Sequence, residues 1–491
     1  MNHKTWFSII ALLLGYILVA STFMGVAPIG EAEAQNLSRE ERNWELINHN
    51  ERGTNHNPQN QINEENAQFL ELKWVAPIPS VNQLGAGSWG TTEGTMAPQI
   101  IVDGMVFNAL NRKSIIAYDA KTGNTVWTWE HPEYDQAEGQ RLYPIAVDTA
   151  HTHGMHYSDG FLVQTDFGCR YTFNDPKTGE VVKQVLHLCV ENTNEDDGWF
   201  PASKFNAAGW GLPTNSGEYA SRGTHPPTIW AEENLIFHQL GGSSEGTWGG
   251  RFYASARTFD DGDLVWRTFL MPPCGDPTTC GPGLDGPLFV EEKAEWGQWL
   301  VDNCDKIYMY SPKVKQQPYA VTACDIPEDI LRNDWGDMRS NSGISNVWGQ
   351  MPLDKETGII YYGMAQPGPD RNGTFAPGPR LFGTAFVALD AKTGEFIWAY
   401  QTSPRDLWDY DCSWNTMITT TMVRGQMRDV MIGGCKNGKI YVLDARTGYA
   451  YHALESEFIK RCADKNSDGK SLCELYDPTS RYDMVERLWT D

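Results

Sequence analysis

One short motif, written six times along the chain, constrains the fold more than any other feature. Asp119-Ala-Lys-Thr-Gly123, Asp175-Pro-Lys-Thr-Gly179, Asp260-Asp-Gly262, Asp354-Lys-Glu-Thr-Gly358, Asp390-Ala-Lys-Thr-Gly394 and Asp444-Ala-Arg-Thr-Gly448 share one turn chemistry. The aspartate can accept main-chain hydrogen bonds and the glycine supplies a positive φ. Trp127, Trp266 and Trp398 each stand four residues after their glycine. Gly123 to Gly179 and Gly394 to Gly448 are 56 and 54 residues apart, close to one sheet's worth of chain, and insertions stretch the other intervals. A hairpin unit of this kind cannot bury both faces alone, so neighbouring sheets must stack, and a radial β-propeller is the expected all-β solution. A pair of β-sandwiches would also need turns, but would not repeat the tryptophan.

Composition agrees where it bears on this. The 47 Gly and 27 Pro suit a turn-rich chain, and helical periodicity is scarce beyond the N-terminus. A formal charge of −24 would repel phosphates, which argues against nucleic acid and favours solubility and the steering of a cationic protein partner.

The chain opens with Lys4, an almost uncharged run from Trp6 to Gly30, and Ala32-Glu33-Ala34 before Gln35. This is the pattern of a signal peptide, residues 1–34, cut after Ala34, with an uncleaved membrane anchor as the alternative. Both readings export the polypeptide, placing it in the periplasm or another extracytoplasmic space. Export makes disulfides the expected fate of ten cysteines that fall in sequence couples: Cys169 with Cys189, Cys274 with Cys280, Cys304 with Cys324, Cys412 with Cys435, and Cys462 with Cys473. Sequence leaves the connectivity open. No Cys-x-x-Cys-His haem attachment sequence occurs, so electrons from any redox reaction would leave to a separate acceptor. Residues 271–340 break the rhythm with Pro-Pro-Cys-Gly, Cys-Gly-Pro-Gly and clustered acids, and are expected to be a disulfide-pinned insertion without clear strands. Asp464, Asn466, Asp468 and Gly469 resemble the start of a calcium loop, but the closing Glu474 comes early, and a solvated turn is the better reading.

The chemistry gathers after the fifth turn, in Asp-Leu-Trp-Asp-Tyr-Asp (residues 406–411). In an extended segment Asp409 and Asp411 would face one side, an arrangement suited to a hard cation or a general base. This hexapeptide, following Leu-Asp-Ala-Lys-Thr-Gly-x-x-x-Trp, resembles the quinoprotein alcohol, methanol and glucose dehydrogenases over most of the mature chain. The opening segment Asn43-Trp44 to Leu72-Lys73-Trp74 resembles theirs too. That resemblance implies an eight-bladed β-propeller that uses pyrroloquinoline quinone (PQQ) with Ca²⁺ or a lanthanide. About six repeats are visible here, so the C-terminal blades are expected to be missing, or supplied by another chain.

The resemblance also assigns roles. It implies Asp409 as the base that takes the alcohol proton, and Asp411 as the extra metal-ligating acid of lanthanide-using relatives, although some sugar-oxidising relatives share it. Glu245 in Gly-Gly-Ser-Ser-Glu matches a metal-binding glutamate, and Gln366 before Pro367 stands where the family has an asparagine ligand. Trp348 matches the floor under PQQ, Lys436 the cation at the quinone oxygens, and Glu93 and Thr224 two further PQQ contacts. Three departures stand out: the longer Gln366, His153-Gly-Met-His-Tyr157 in place of an arginine before Gly-x-x-Tyr, and no adjacent Cys-Cys pair. The resemblance therefore implies an exported dehydrogenase that oxidises an alcohol or sugar and passes electrons to a separate acceptor such as a c-type cytochrome or cupredoxin. The alternative is a non-catalytic propeller of the same descent, serving as scaffold or binding module.

Overall fold

The repeated turn closes as its composition requires. In the computed structural model Asp390 Oδ1 accepts from the amides of Lys392 and Thr393 and from the Thr393 hydroxyl at 2.8–3.0 Å, and Gly394 lies at φ +73°. Asp119, Asp175 and Asp444 accept the same amide of their own turns, and Gly123, Gly179 and Gly448 take the same left-handed φ. The structure describes residues 37–78, 95, 97–110, 114–130, 153–165, 171–185, 226–240, 252–272, 290–338, 342–345, 347–369, 373–414 and 416–455. Among them, residues 37–43 and 57–73 form a small unit of their own. It holds the helix Arg39–Arg42, capped reciprocally by Ser38 and Glu41, and a series of asparagine-bonded turns.

The larger unit is a β-propeller of antiparallel sheets in sequential order. Blade one is Ile100–Val102, Met105–Ala109, Ile115–Asp119 and Thr125–Trp129. Blade two is His156–Ser158, Phe161–Thr165, Tyr171–Asn174 and Val181–Val185; blade three is Thr228–Trp230, Leu235–Leu240, Tyr253–Thr258 and Leu264–Phe269. Blade four contains Leu353–Asp354, Ile359–Gly363, Ala385–Asp390 and Phe396–Gln401, and blade five contains Thr416–Val423, Gln426–Gly434, Lys439–Asp444 and Ala450–Glu455. In every blade the last strand pair slips register just before the repeated turn, a bulge that adds twist.

Six turns thus fall on five described sheets, because the Asp354 and Asp390 turns belong to the same blade. The expectation of a strandless insertion over 271–340 is corrected in its described part. Residues 290–338 carry the helices Val290–Asp302 and Glu328–Arg332 and the strands Ile307–Tyr310 and Ala320–Thr322, with Cys304 bonded to Cys324 between them. Ile307 and Met309 alternate into the core, and their strand runs parallel to Phe396–Gln401, widening blade four to six strands. Proline and cysteine density masked that alternation in the sequence.

The recurring tryptophan joins one blade to the next. The indole N–H of Trp127 donates to Pro176 O in blade two at 3.0 Å, that of Trp266 to Ala391 O in blade four, and that of Trp398 to Ala445 O in blade five, both at 2.9 Å. Trp74 does the same to Ala120 O in blade one. Each ring lies flat across the glycine of the receiving turn. At the joint between blades two and three the corresponding residue is Lys183, whose ammonium donates to Phe259 O and Asp260 O at 2.8 and 2.9 Å and lies over the Phe173 and Phe259 rings. The receiving turn there closes through Gly262 N to Thr258 O, so Thr258, not Asp260, stands at the first turn position. Apolar clusters fill the same joints: Phe107 and Ile115 with Leu162, Phe173 with Ile236 and Tyr253, Phe237 and Trp266 with Val387 and Leu389, and Phe386 and Trp398 with Met431 and Tyr441.

A second anchor holds residues 44–56 to the body. Glu51 pairs with Lys355 at 2.7 Å near the fully enclosed His156, whose pKa burial lowers to about 4 against the pull of Glu51.

Two measurements follow from these features. Gly448 and Gly358 occupy equivalent turns at φ +73° and +71°, but a β-carbon at Gly448 would come within 2.6 Å of the Trp398 ring, whereas one at Gly358 meets nothing. Gly358→Ala should therefore cost the conformational term of about 1–2 kcal/mol, and Gly448→Ala about 1–3 kcal/mol more, in urea unfolding. His156 has a folded pKa below its unfolded value, so the stability from keeping it neutral is present above pH 6.5 and is lost as pH falls toward 4. In that window wild type should lose up to about 3 kcal/mol relative to His156→Gln.

Candidate active site

The loop after blade four, described over residues 402–414, carries the acids. Its shape is set by Asp406, which is buried and accepts from Trp408 N at 2.8 Å and Tyr410 N at 2.7 Å through its two carboxylate oxygens, and from the Thr384 hydroxyl at 2.7 Å. Arg380, itself wholly buried, donates to the Asp406 carbonyl. The chain between these bonds turns sharply enough to place Asp409 at φ +67°, a region aspartate tolerates and most residues do not. The two acids consequently differ in environment: the Asp409 carboxylate is 41% exposed, that of Asp411 3%.

Lys436 meets both. It sits in the turn after the strand Gln426–Gly434, and its ammonium lies 2.7 Å from Asp409 Oδ1 and 2.7 Å from Asp411 Oδ2. The main chains are joined as well, Lys436 N donating to Asp411 O at 2.9 Å, while Asn437 Nδ2 donates to Ser403 Oγ at 3.1 Å. Burial, with the neighbouring Asp409 charge adding to it, pushes Asp411 up to about 7 against the pull of Lys436 and the Gln366 amide. Burial works against the Lys436 ammonium, but the two carboxylates outweigh it and raise its pKa.

Gln366 completes the group. Its backbone N–H donates to Asp411 Oδ1 at 2.8 Å, and its buried side-chain oxygen Oε1 has no hydrogen-bond donor. A buried acceptor without a donor is costly. The two carboxylates are hard donors of the kind a multivalent cation takes, and the buried Gln366 amide oxygen is a further hard donor on a residue whose main chain is bonded to Asp411. Among the described residues no cluster of three or more His, Cys, Asp or Glu stands ready to hold a metal by itself.

Trp348 is tied to the same loop, since Gly349 N donates to Ser413 O at 2.7 Å. The ring is half-buried and stacks within 24° of Trp414, with the buried His153 edge-on to Trp348 and tilted against Trp414. This flat aromatic surface beside the acid loop is suited to covering a planar ring system. The structure thus brings Trp348, Gln366, Asp409, Asp411 and Lys436 into one region. Glu93, Thr224 and Glu245 lie outside the described residues, as do the cysteine couples 169/189, 274/280 and 462/473, the Asp464 loop and residues 1–34.

Residues 44–184 and 325–466, more than half of the chain, match the family model "PQQ: Glucose/ethanol/alcohol dehydrogenase, beta-propeller domain". The chain belongs to this quinoprotein family. Over 482 residues it is 23% identical to the dehydrogenase subunit of the quinone alcohol dehydrogenase of Gluconacetobacter polyoxogenes, covering 98% of this chain and 54% of that protein. Over 407 residues it is 24% identical to the quinohemoprotein alcohol dehydrogenase of Comamonas testosteroni, covering 82% and 45%. The crystal structure of the Comamonas testosteroni enzyme superposes with a TM-score of 0.56 at 19% identity, covering 92% of this chain and 55% of that one. A europium-containing methanol dehydrogenase superposes at 0.53 and 18% identity, covering 90% and 62%. At such identities the solved structures show the fold alone. This quinoprotein chain spans about half the length of the curated relatives it matches.

Sequence reasoning missed two participants in the candidate site, Asp406 as organiser of the loop and Trp414 as the partner of Trp348, whereas the expected couple Cys412 and Cys435 is bonded and flanks Asp411 and Lys436. For Asp406 a signal existed, the first acid of the quoted hexapeptide. Asp406→Ala should strand three donors and destabilise the fold by about 3 kcal/mol in urea unfolding, with faster amide exchange over residues 408–411.

Proposed function

We propose that this chain carries the propeller portion of an exported quinoprotein dehydrogenase that oxidises an alcohol or a sugar and hands electrons to a separate acceptor protein. The observation that carries the reading is the Asp409–Lys436–Asp411 bridge, tied to Gln366 through its main-chain N–H, within a chain of this family. When bound, PQQ would supply the two-electron, hydride-accepting chemistry and a metal ion the Lewis acidity that polarises it.

The protein's own groups account for the rest. Asp409, the more exposed acid, accepts the proton of the substrate hydroxyl and is oriented by Lys436. Asp411 and the Gln366 side-chain oxygen are the proposed metal ligands, with Asp409 at the edge of the set and Glu245 as a further ligand from the sequence resemblance. Asp411 is the ligand whose extra negative charge would favour a trivalent over a divalent ion, because the added Coulomb attraction grows with ion charge. Trp348, backed by Trp414, would cover the flat face of the cofactor and exclude water from it. Lys436 would contact the bound cofactor's oxygens as well as the acids, and Glu93 and Thr224 remain the proposed additional cofactor contacts.

Dye-linked oxidation of a small alcohol and sugar panel, with added PQQ and either Ca²⁺ or La³⁺, tests this. Asp409→Ala should lower kcat roughly 10³-fold with the fold and quinone absorption retained, and wild-type turnover in that variant would remove Asp409 from the mechanism. Asp411→Ala should shift the metal preference away from La³⁺; equal rates with both ions before and after the change would remove its ligand role.

A further inference from the structure

The acids and the lysine come from opposite sides of a blade joint, and the Cys412–Cys435 disulfide closes that joint directly beside them. Cys412 follows Asp411 and Cys435 precedes Lys436, with Cα atoms 4.2 Å apart. Cys412 is wholly buried, its sulfur lies 3.0 Å from the Thr402 hydroxyl, and its amide donates to Met364 O at 3.1 Å. Gly363 leaves room for this approach, since a side chain there would strike the Cys412 carbonyl. Asp411 is held on three sides: by the disulfide through its neighbour, by Gln366 N at Oδ1, and by Lys436 through both main chain and side chain. Two carboxylates this close would otherwise drift apart, because their repulsion and the burial of Asp411 both oppose the arrangement.

We propose that the Cys412–Cys435 disulfide is a positioning clamp for the reaction site: it fixes Asp411 against Lys436 and so holds the oxygen donors ready for a cation. The proposal rests on the site reading given above. It makes Cys412 and Cys435 positioning residues whose loss loosens the site without dismantling the blade, because both blade edges keep their own hydrogen-bonded ladders.

The other described disulfide supplies the control. Cys304–Cys324 closes a similar length of chain, separation 20 against 23, so deleting either bond should cost comparable chain entropy, but Cys304–Cys324 flanks none of the site residues. The full chain is prepared as wild type, Cys412→Ala/Cys435→Ala and Cys304→Ala/Cys324→Ala. Tb³⁺ binding is followed by tryptophan-sensitised emission, and amide exchange by mass spectrometry on peptides covering residues 363–368 and 433–438. The clamp predicts that Cys412→Ala/Cys435→Ala binds Tb³⁺ at least tenfold more weakly and exchanges at least tenfold faster in both peptides, with the control variant unchanged in both readouts. Unchanged affinity and protection in Cys412→Ala/Cys435→Ala, or equal losses in the control, would overturn the proposal. Should the site variant fail to fold, mild reduction of folded wild type, with recovery on reoxidation, takes its place and is judged by the same two readouts. If wild type takes up no Tb³⁺, the metal assignment in the proposed function fails, and the exchange measurement alone decides whether the clamp exists.

Discussion

An indole N–H meeting a main-chain carbonyl across a blade joint is the interaction on which the described architecture depends. A four-stranded sheet has two apolar faces and no means of covering them itself, so each blade is stable only while its neighbours remain in place. The tryptophan at the end of one blade supplies a large apolar ring for the joint and a polar handle that fixes the depth of docking. The receiving glycine does the complementary work: its positive φ closes the turn, and its missing side chain leaves the shelf on which the ring lies. Turn and tryptophan recur together because neither is useful without the other.

The candidate site inherits its position from such a joint. Asp409 and Asp411 leave blade four on a loop folded around Asp406, and Lys436 enters from blade five. Bringing two acids together at a partly buried place is unfavourable by itself. Here the joint, already held by Trp398 and the Phe386–Tyr441 packing, absorbs that cost, and the lysine and disulfide confine it to one geometry. The site is thus a local concentration of unfavourable charge carried by a rigid frame.

The parts legible in the sequence were those encoded within a few consecutive residues. The Asp-to-Gly turns announce themselves, and with them the all-β repeat; the hexapeptide at 406–411 and the Gly-Gly-Cys-Lys-Asn-Gly run around Lys436 are equally compact. What was not legible depends on partners far apart in the chain. That Asp354 and Asp390 share one blade follows from pairing between Ile359–Gly363 and Ala385–Asp390 across a long intervening loop. That Ile307–Tyr310 is a strand is decided by an edge nearly a hundred residues later. In blade three Thr258 occupies the turn's first position, and Asp260 and Asp261 after it imitate the motif two residues late. Asp406 was visible as an acid, but its work, accepting two amides of its own loop and a hydroxyl from blade four, exists only once the loop has closed.

The acceptor in every described blade joint is a main-chain carbonyl. Pro176 and Ala120 serve as well as Ala391 and Ala445, and Phe259 serves Lys183, because the side chain on the accepting residue plays no part. The accepting atom of each joint is therefore beyond the reach of point substitution, and what must be inherited is the donor together with the glycine that leaves room for it. Lys183 in place of the usual indole shows that even the donor can be exchanged for a chemically unrelated group of sufficient reach. An assembly rule written in backbone atoms leaves evolution free to rewrite most of the text, which is how chains with fewer than one residue in four in common can keep the same stack of blades.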